Sequence, residues 1–379
     1  MRANYIEIKT REQLQEILTR PTDKPLRRIA FHGVDMRQEA ESVLNHQYRD
    51  CIFLACQLPH GLKGKLTDSL VFPDMGELFQ FRTTLYDADS LYDGYIQGRP
   101  ETMAKSFDGK VYKHYLERGK QATDIKETLA RTLHDHSISN ALHHFLSRYR
   151  EEDIVGVMGG HQISRLDSHY EQIVRISKRL TEAGKLMISG GGPGAMEATH
   201  LGAWMAGRSE TELQEALAMM QTAASYLDGG WLDTAFAVRK RFPAPQFESL
   251  GIPTWLYGHE PATPLATHIA KYFDNSIRED GIVTIAKGGI LFTPGSAGTL
   301  QEIFQEAVQN HYLSFGYASP MLFLDEAYWR KDVPVYPLIE HLVRAGRYKH
   351  LLLTISDCEE EIIRQVLAFR PATVNATKA

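Results

Sequence analysis

Cysteine is scarce in this chain, with three residues, Cys51, Cys56 and Cys358, among 379. So few, and an odd number, exclude a disulfide framework and fit a reducing compartment. No second pair follows Cys51 and Cys56 at metal-ligand spacing, and the run Cys51-Ile-Phe-Leu-Ala-Cys56 reads as a buried strand. Long apolar runs are missing too: nowhere do 18 apolar residues follow one another, and Met-Arg-Ala-Asn-Tyr-Ile-Glu-Ile-Lys at the start has no apolar stretch of signal-peptide length. The expectation is a soluble, cytoplasmic protein without a membrane partner. Positive charge is not in excess, since Lys+Arg 42 against Asp+Glu 47 leaves a net charge of -5. That excludes a global basic field of the kind that drives non-specific nucleic-acid binding, and no nucleic-acid partner is expected. With 29 glycines and 16 prolines the chain is also not collagen-like or of low complexity.

What is present is ordinary globular composition, 43% hydrophobic and 23% charged, in a length that suits two domains. Residues 26–34 and 51–58 read as strands around a helix-compatible segment at 37–49. Residues 66–100 are loop-rich and aromatic, and 120–150 read as helix. The charged run Arg148-Tyr-Arg-Glu-Glu-Asp153 marks a boundary, giving a smaller α/β domain at 1–150 and a second domain at 151–379. From Ile154 onward short apolar strands alternate with longer amphipathic segments. Strands are expected at 154–158, 185–189, 233–238, 253–257, 289–293, 320–324 and 350–355. Helices are expected near 167–183, 195–207, 263–278, 299–313, 335–345 and 358–368. Such alternation predicts an α/β fold, a doubly wound Rossmann-like parallel sheet whose ligands bind beyond the carboxyl ends of the strands.

Two glycine-rich turns follow strands and open helices. The first is Ser189-Gly-Gly-Gly-Pro-Gly-Ala-Met-Glu-Ala198, where Gly190, Gly191, Gly192 and Gly194 would let the backbone approach an anion at a helix N-terminus, with Met196 just inside. Its spacing is neither a dinucleotide fingerprint nor a Walker A loop. The second is Phe292-Thr-Pro-Gly-Ser-Ala-Gly-Thr-Leu-Gln-Glu-Ile-Phe304, with Gly295, Ser296, Gly298 and the Thr299 hydroxyl placed to meet a phosphate. The two turns could cradle one phosphorylated ligand. Gly159 and Gly160 form a third turn at the rim of the sheet, beside His161 as a candidate ligand contact. Glu302 reads two ways: as the partner of Thr299 in a capping box, or as a carboxylate within one turn of an anion site, where it would work on a sugar or a water.

Pro294-Gly-Ser-Ala-Gly-Thr-Leu-Gln-Glu302 resembles the Pro-Gly-Gly-x-Gly-Thr-x-x-Glu signature of the Lonely Guy family of nucleoside monophosphate phosphoribohydrolases. Gly190-Gly-Gly-Pro-Gly-Ala-Met196 is similar to that family's earlier glycine loop, with one residue fewer between glycines. The closing order, Met321-Leu-Phe-Leu-Asp325, a helix, then Leu351-Leu-Leu-Thr-Ile-Ser-Asp-Cys-Glu-Glu360, also fits, and the resemblance covers about residues 153–369. It implies a catalytic pair of Glu302 and Arg278, the latter from Phe273-Asp-Asn-Ser-Ile-Arg-Glu-Asp280. Three departures stand out: Ser296 replaces the second signature glycine, Glu279 replaces a lysine, and Arg278 lies 16 residues before Pro294, about one more than the plant-type pattern implies.

The implied activity is hydrolysis of the N-glycosidic bond of a nucleoside 5'-monophosphate to free base and ribose 5-phosphate, with no cofactor and no metal. The alternative is a non-catalytic binding protein like the molybdenum cofactor carriers; a dinucleotide-dependent oxidoreductase fits less well for want of its fingerprint. The resemblance also implies a homo-oligomer, with Ile303, Phe304 and Val308 as a packing or interface face. His134-Asp135-His136 invites a metal reading, but adjacent residues on a helix point in different directions, so a mostly exposed face is expected.

Overall fold

Two sets of parallel strands account for most of the apolar runs. In the computed structural model, which describes residues 5–371, the first set holds β1 (Ile6–Ile8), β2 (Leu26–Arg27), β3 (Ile29–His32), β4 (Tyr48–Arg49), β5 (Ile52–Leu54) and β6 (Leu70–Phe72). Four of these form one sheet in the order β1-β3-β5-β6, and β2 pairs separately with β4. The run 26–34 splits because Arg28 turns the backbone with φ +54°. Leu14, Val43 and Tyr48 close the core over this sheet, where Phe31 and Phe53 stack at 4.9 Å.

This first compact unit takes in residues 5–85 and 121–143, while residues 86–120 belong with 144 onward. A single division at 150 is thereby corrected. The physical reason lies in buried polar anchors within the second unit: Asp108 accepts from the Lys271 ammonium at 2.6 Å and from the Trp255 indole at 2.9 Å, and the Tyr92 hydroxyl donates to the Ala262 carbonyl. Partners so far along the sequence leave no local signal.

The second unit is built on β7 (Ile154–Met158), β8 (Leu186–Ser189), β9 (Ser249–Gly251), β10 (His268–Ile269), β11 (Ile290–Phe292), β12 (Pro320–Leu324) and β13 (Leu352–Ser356). All are parallel, in the order β10-β9-β8-β7-β11-β12-β13. The chain winds outward from β7 in one direction and from β11 in the other, so the order reverses between these two central strands, as a doubly wound sheet requires. Helix Ser168–Glu182 starts where the Asp167 side chain accepts from the amide of His169 at 2.9 Å, and it buries Ile173, Val174, Ile176 and Leu180. Helix Ala195–Trp204 is buried along its whole length. The two helices approach so closely that a Cβ on Gly202 would lie 2.3 Å from the Val174 carbonyl oxygen.

Three expected elements differ. Residues 233–238 lie in helix Trp231–Arg241, because Trp231, Leu232, Ala235 and Val238 are buried at helical spacing. Residues 253–257 turn into a short 3-10 segment, Trp255–Tyr257, where the Thr254 hydroxyl accepts from the amide of Leu256. Residues 263–278 hold the extended strand β10, and the helix begins only at Asn275, running to Ile285. This stretch is mostly buried and hydrogen-bonds edge-on, Ala270 N–H to the Gly251 carbonyl at 2.8 Å, so no amphipathic period marks it as strand.

Candidate functional site

A cleft of about 210 Å³ opens at the carboxyl ends of β7, β8 and β11, where the strand order reverses. Among its lining residues are Gly159, Gly160, Gly190, Met196, Arg278, Ser296, Gly298, Thr299 and Glu302, all picked out by the sequence. The turns after β7 and β11 interlock beneath it. The Gly160 amide donates to the Pro294 carbonyl at 2.9 Å, the Gly160 carbonyl accepts from Ala195 at 3.1 Å, and a Cβ on Gly159 would sit 1.9 Å from Thr293 Oγ1. Only glycine fits at 159.

One anion-attracting feature of the cleft is the N-terminus of helix Ala297–Tyr312. Ser296 is its N-cap residue and makes no side-chain capping bond, so the first amides point outward without a side-chain partner where Ser296, Gly298 and Thr299 border the cleft. The Tyr328 hydroxyl holds the turn in place by donating to the Gly295 carbonyl at 2.6 Å.

The first glycine turn works differently. Gly190 lines the cleft, and a Cβ there would lie 2.6 Å from Met196 Sδ and 2.9 Å from Arg278 Nη2, so the guanidinium rests close over the bare backbone. Gly191 does not border the cleft: its amide donates to Ser189 Oγ at 3.1 Å, and its carbonyl accepts from Thr263 at 2.8 Å. Gly194, at φ +66°, packs against the Gly160 carbonyl, and Gly295 lies under the Thr299 hydroxyl. Gly192 borders a narrow side recess instead. These four shape the turns; they do not line the main cleft.

Below the first turn two buried networks lock its position. Ser189 Oγ and Ser249 Oγ flank the His200 ring at 2.8 and 2.9 Å. Burial in this neutral setting drives the His200 pKa down to about 3. Arg165 and Glu197 form a bidentate pair at 2.6 and 2.7 Å, completed by the Tyr170 hydroxyl, Thr234 and three backbone carbonyls.

Glu302 is freed from the capping role. The helix begins at Ala297, so Thr299 is its third residue and not its cap, and of the two readings of Glu302 the capping box does not form. The half-buried carboxyl faces the cleft, and burial pushes its pKa up to about 7; Arg278 works against the shift and Glu279 adds to it. Arg278 comes from helix Asn275–Ile285 with its side chain 14% exposed, lies 3.9 Å from Glu279, and leaves its buried Nε without a partner. Among the described residues it makes no ion pair with Glu302. Near pH 7 the cleft therefore holds a helix N-terminus, a guanidinium and a carboxyl that both gives and accepts protons.

His161 lines the same cleft, with Nδ1 3.8 Å from Glu260 Oε1. Sequence reasoning missed Tyr257, Glu260, Glu279 and Gln301 as lining residues. The signal was present in Pro253 and Gly258, which mark a turn rather than a strand. Elsewhere, His134 and Asp135 are buried and 2.9 Å apart while His136 is exposed, which corrects the expected exposed face. Among the described residues no three His, Cys, Asp or Glu side chains gather to hold a metal, and no helix is long and apolar enough to cross a membrane. Ile303 is buried, Phe304 partly buried and Val308 43% exposed.

Comparison with protein-family models finds no match, and comparison with curated proteins finds none either. Solved structures that match include the molybdenum cofactor binding protein from the phototrophic bacterium Rippkaea orientalis, at 15% identity and a TM-score of 0.37 over 57% of this chain and 97% of that one. The molybdenum cofactor carrier protein from Chlamydomonas reinhardtii matches at 15% identity and a TM-score of 0.33, over 57% of this chain and 98% of that one.

Proposed function

We propose that the cleft binds a phosphorylated small molecule, with the phosphate at the N-terminus of helix Ala297–Tyr312, and that it hydrolyses the N-glycosidic bond of a nucleoside 5'-monophosphate. Phosphate binding rests on the helix start that no side chain caps, beside Ser296, Gly298 and Thr299. Hydrolysis is supported by one further observation: Glu302 lines the same cleft, does not cap helix Ala297–Tyr312, and has its pKa raised by burial to about 7.

In this reading the phosphate, remote from the reacting carbon, supplies binding energy that positions the ribose. The bond from C1' to the base nitrogen breaks with its electron pair going to the base, and water adds to C1'. Ionised Glu302 stabilises the positive charge that develops on the ribose and takes the proton released by the water, which then passes to the departing base nitrogen so that the base leaves neutral. Arg278 places positive charge beside the departing base. The products are free base and ribose 5-phosphate.

A second reading is retention of a phosphorylated cofactor without turnover, molybdenum cofactor binding and carriage being what the superposed structures are named for. One observation in this chain favours it: Arg278 lies beside Glu279 rather than pairing with Glu302. The readings share the phosphate site and part at Glu302. Incubating the protein with a panel of nucleoside monophosphates, while following free base and ribose 5-phosphate, separates them. Release is expected; no release from any substrate, with a phosphorylated ligand retained in native mass spectrometry, overturns hydrolysis in favour of carriage.

A further inference from the structure

The cleft has a second wall that the phosphate site does not use. Tyr257 is 40% exposed at the mouth, and the Arg278 guanidinium carbon lies 6.0 Å from its ring centroid. Glu260 stands three residues on, its side chain 16% exposed, with Oε1 3.8 Å from His161 Nδ1 and 3.7 Å from His259 Nε2. Both residues also border the narrow recess that runs along Gly190 and Gly192 to Pro253 and Thr254, which no residue of helix Ala297–Tyr312 lines. An exposed aromatic face and an acceptor-only carboxylate thus lie in the same cleft as the helix N-terminus, but to its side.

This wall is held in place by the segment that sequence reasoning left without a role. A Cβ on Gly258 would lie 2.3 Å from the Tyr112 ring, so that ring lies directly against the turn. Asp108 fixes the turn's first residue by accepting from the Trp255 indole at 2.9 Å. Residues 108 and 112 both belong to helix Phe107–Arg118, within the second unit.

We propose that Tyr257 and Glu260 form the subsite for the base, and that they select a base presenting two adjacent N–H donors, as the ring N–H and amino group of guanine do. The argument rests on the nucleotide reading of the cleft and deepens it. An ionised carboxylate only accepts, and its two parallel oxygens match a pair of donors on one edge. Adenine offers a donor beside an acceptor, so one Glu260 oxygen would face a lone pair; hypoxanthine offers the ring N–H alone. Tyr257 contributes stacking that is indifferent to base identity.

The test is equilibrium binding of GMP, IMP, AMP and ribose 5-phosphate, by calorimetry, to the full chain carrying Glu302→Gln, so that no ligand is turned over, and to that same parent with Glu260→Gln or Tyr257→Ala added. GMP is expected to bind about tenfold or more tightly than IMP or AMP, the size of one good bidentate contact. Glu260→Gln should erase that preference and leave ribose 5-phosphate binding unchanged. Tyr257→Ala should weaken all three nucleotides together relative to ribose 5-phosphate. If ribose 5-phosphate binds and the order of the three nucleotides is the same in Glu260→Gln as in the parent, the base subsite is wrong while the phosphate site stands. If none of the four ligands binds the parent chain, the nucleotide reading falls and the base subsite with it.

Discussion

Replacing Glu302 by glutamine separates a catalytic carboxyl from a structural one, because the two roles predict different changes in stability and in turnover. Unfolded, the carboxyl titrates near the ordinary glutamate value of 4.5; folded, burial raises it to about 7. Below pH 4.5 it is protonated in both states and a neutral glutamine differs little from it. As pH rises through the window from 4.5 to 7, the unfolded chain ionises while the folded one resists, and parental stability falls. Above pH 7 the folded protein carries the whole penalty, about 3 kcal/mol for a rise from 4.5 to about 7. Glu302→Gln never bears this penalty, so it should melt roughly 5–10 °C higher than the parent at pH 9 and nearly level with it at pH 4. Its turnover of nucleoside monophosphates should fall by about 10²–10⁴-fold. Thermal melts at both pH values, paired with the release assay, measure both quantities. A residue that only capped the helix would keep its contact as glutamine, so the variant would melt level with its parent and keep its turnover. A variant that melts no higher than its parent at pH 9, or that keeps its turnover, refutes the reasoning.

Other outcomes follow from the same contacts. Arg165→Met strands the buried Glu197 carboxylate, whose partner sits 2.6 Å away, and should cost about 3–5 kcal/mol in urea unfolding; an unchanged midpoint would show that the pair holds nothing. Gly159→Ala drives a methyl to within 1.9 Å of Thr293 Oγ1 and should lose about 1–3 kcal/mol, whereas Gly298→Ala, with nothing within 4 Å, should be level or gain up to about 1 kcal/mol. Burial depresses His200 to about 3, so its contribution is complete above the unfolded value near 6.5 and fades as pH falls toward the folded one. His200→Gln should flatten the loss of stability between pH 6.5 and 4.5, a difference of about 2–3 kcal/mol visible in urea midpoints at the two pH values.

Much of the second unit was legible in the sequence. Ile154–Met158, Pro320–Leu324 and the helix opening at Asp167 stand out because short apolar runs, glycine turns and a capping side chain are local signals. Stretches buried on every side were not legible. Residues 262–273 are nearly all buried, so no polar face marks a period, and their extended form is set by pairing beside β9 and by contacts with Tyr86. The Trp231–Arg241 helix was hidden for a related reason: Leu-Asp-Thr-Ala-Phe-Ala-Val alternates well enough to pass for a strand, and only packing shows that its buried positions keep helical spacing.

The sequence by itself determined the alternating α/β layout and the glycine turns at the strand ends, with Thr299 and Glu302 beside the second of them; Arg278 was placed with them only by the family resemblance. Tertiary structure decided which glycines face the ligand and which merely turn the chain, since Gly190 and Gly191 are neighbours with opposite duties. It also decided that Glu302 is no cap, because the helix starts three residues before Thr299 would have begun it. Above all it drew residues 86–120 into the second unit, where Asp108 and Tyr112 brace the wall that carries Tyr257 and Glu260. Local sequence encodes turns and caps, whose partners lie within a few residues; a hydrogen bond from Trp255 to Asp108 spans a separation of 147 residues, and only the folded chain brings its ends together.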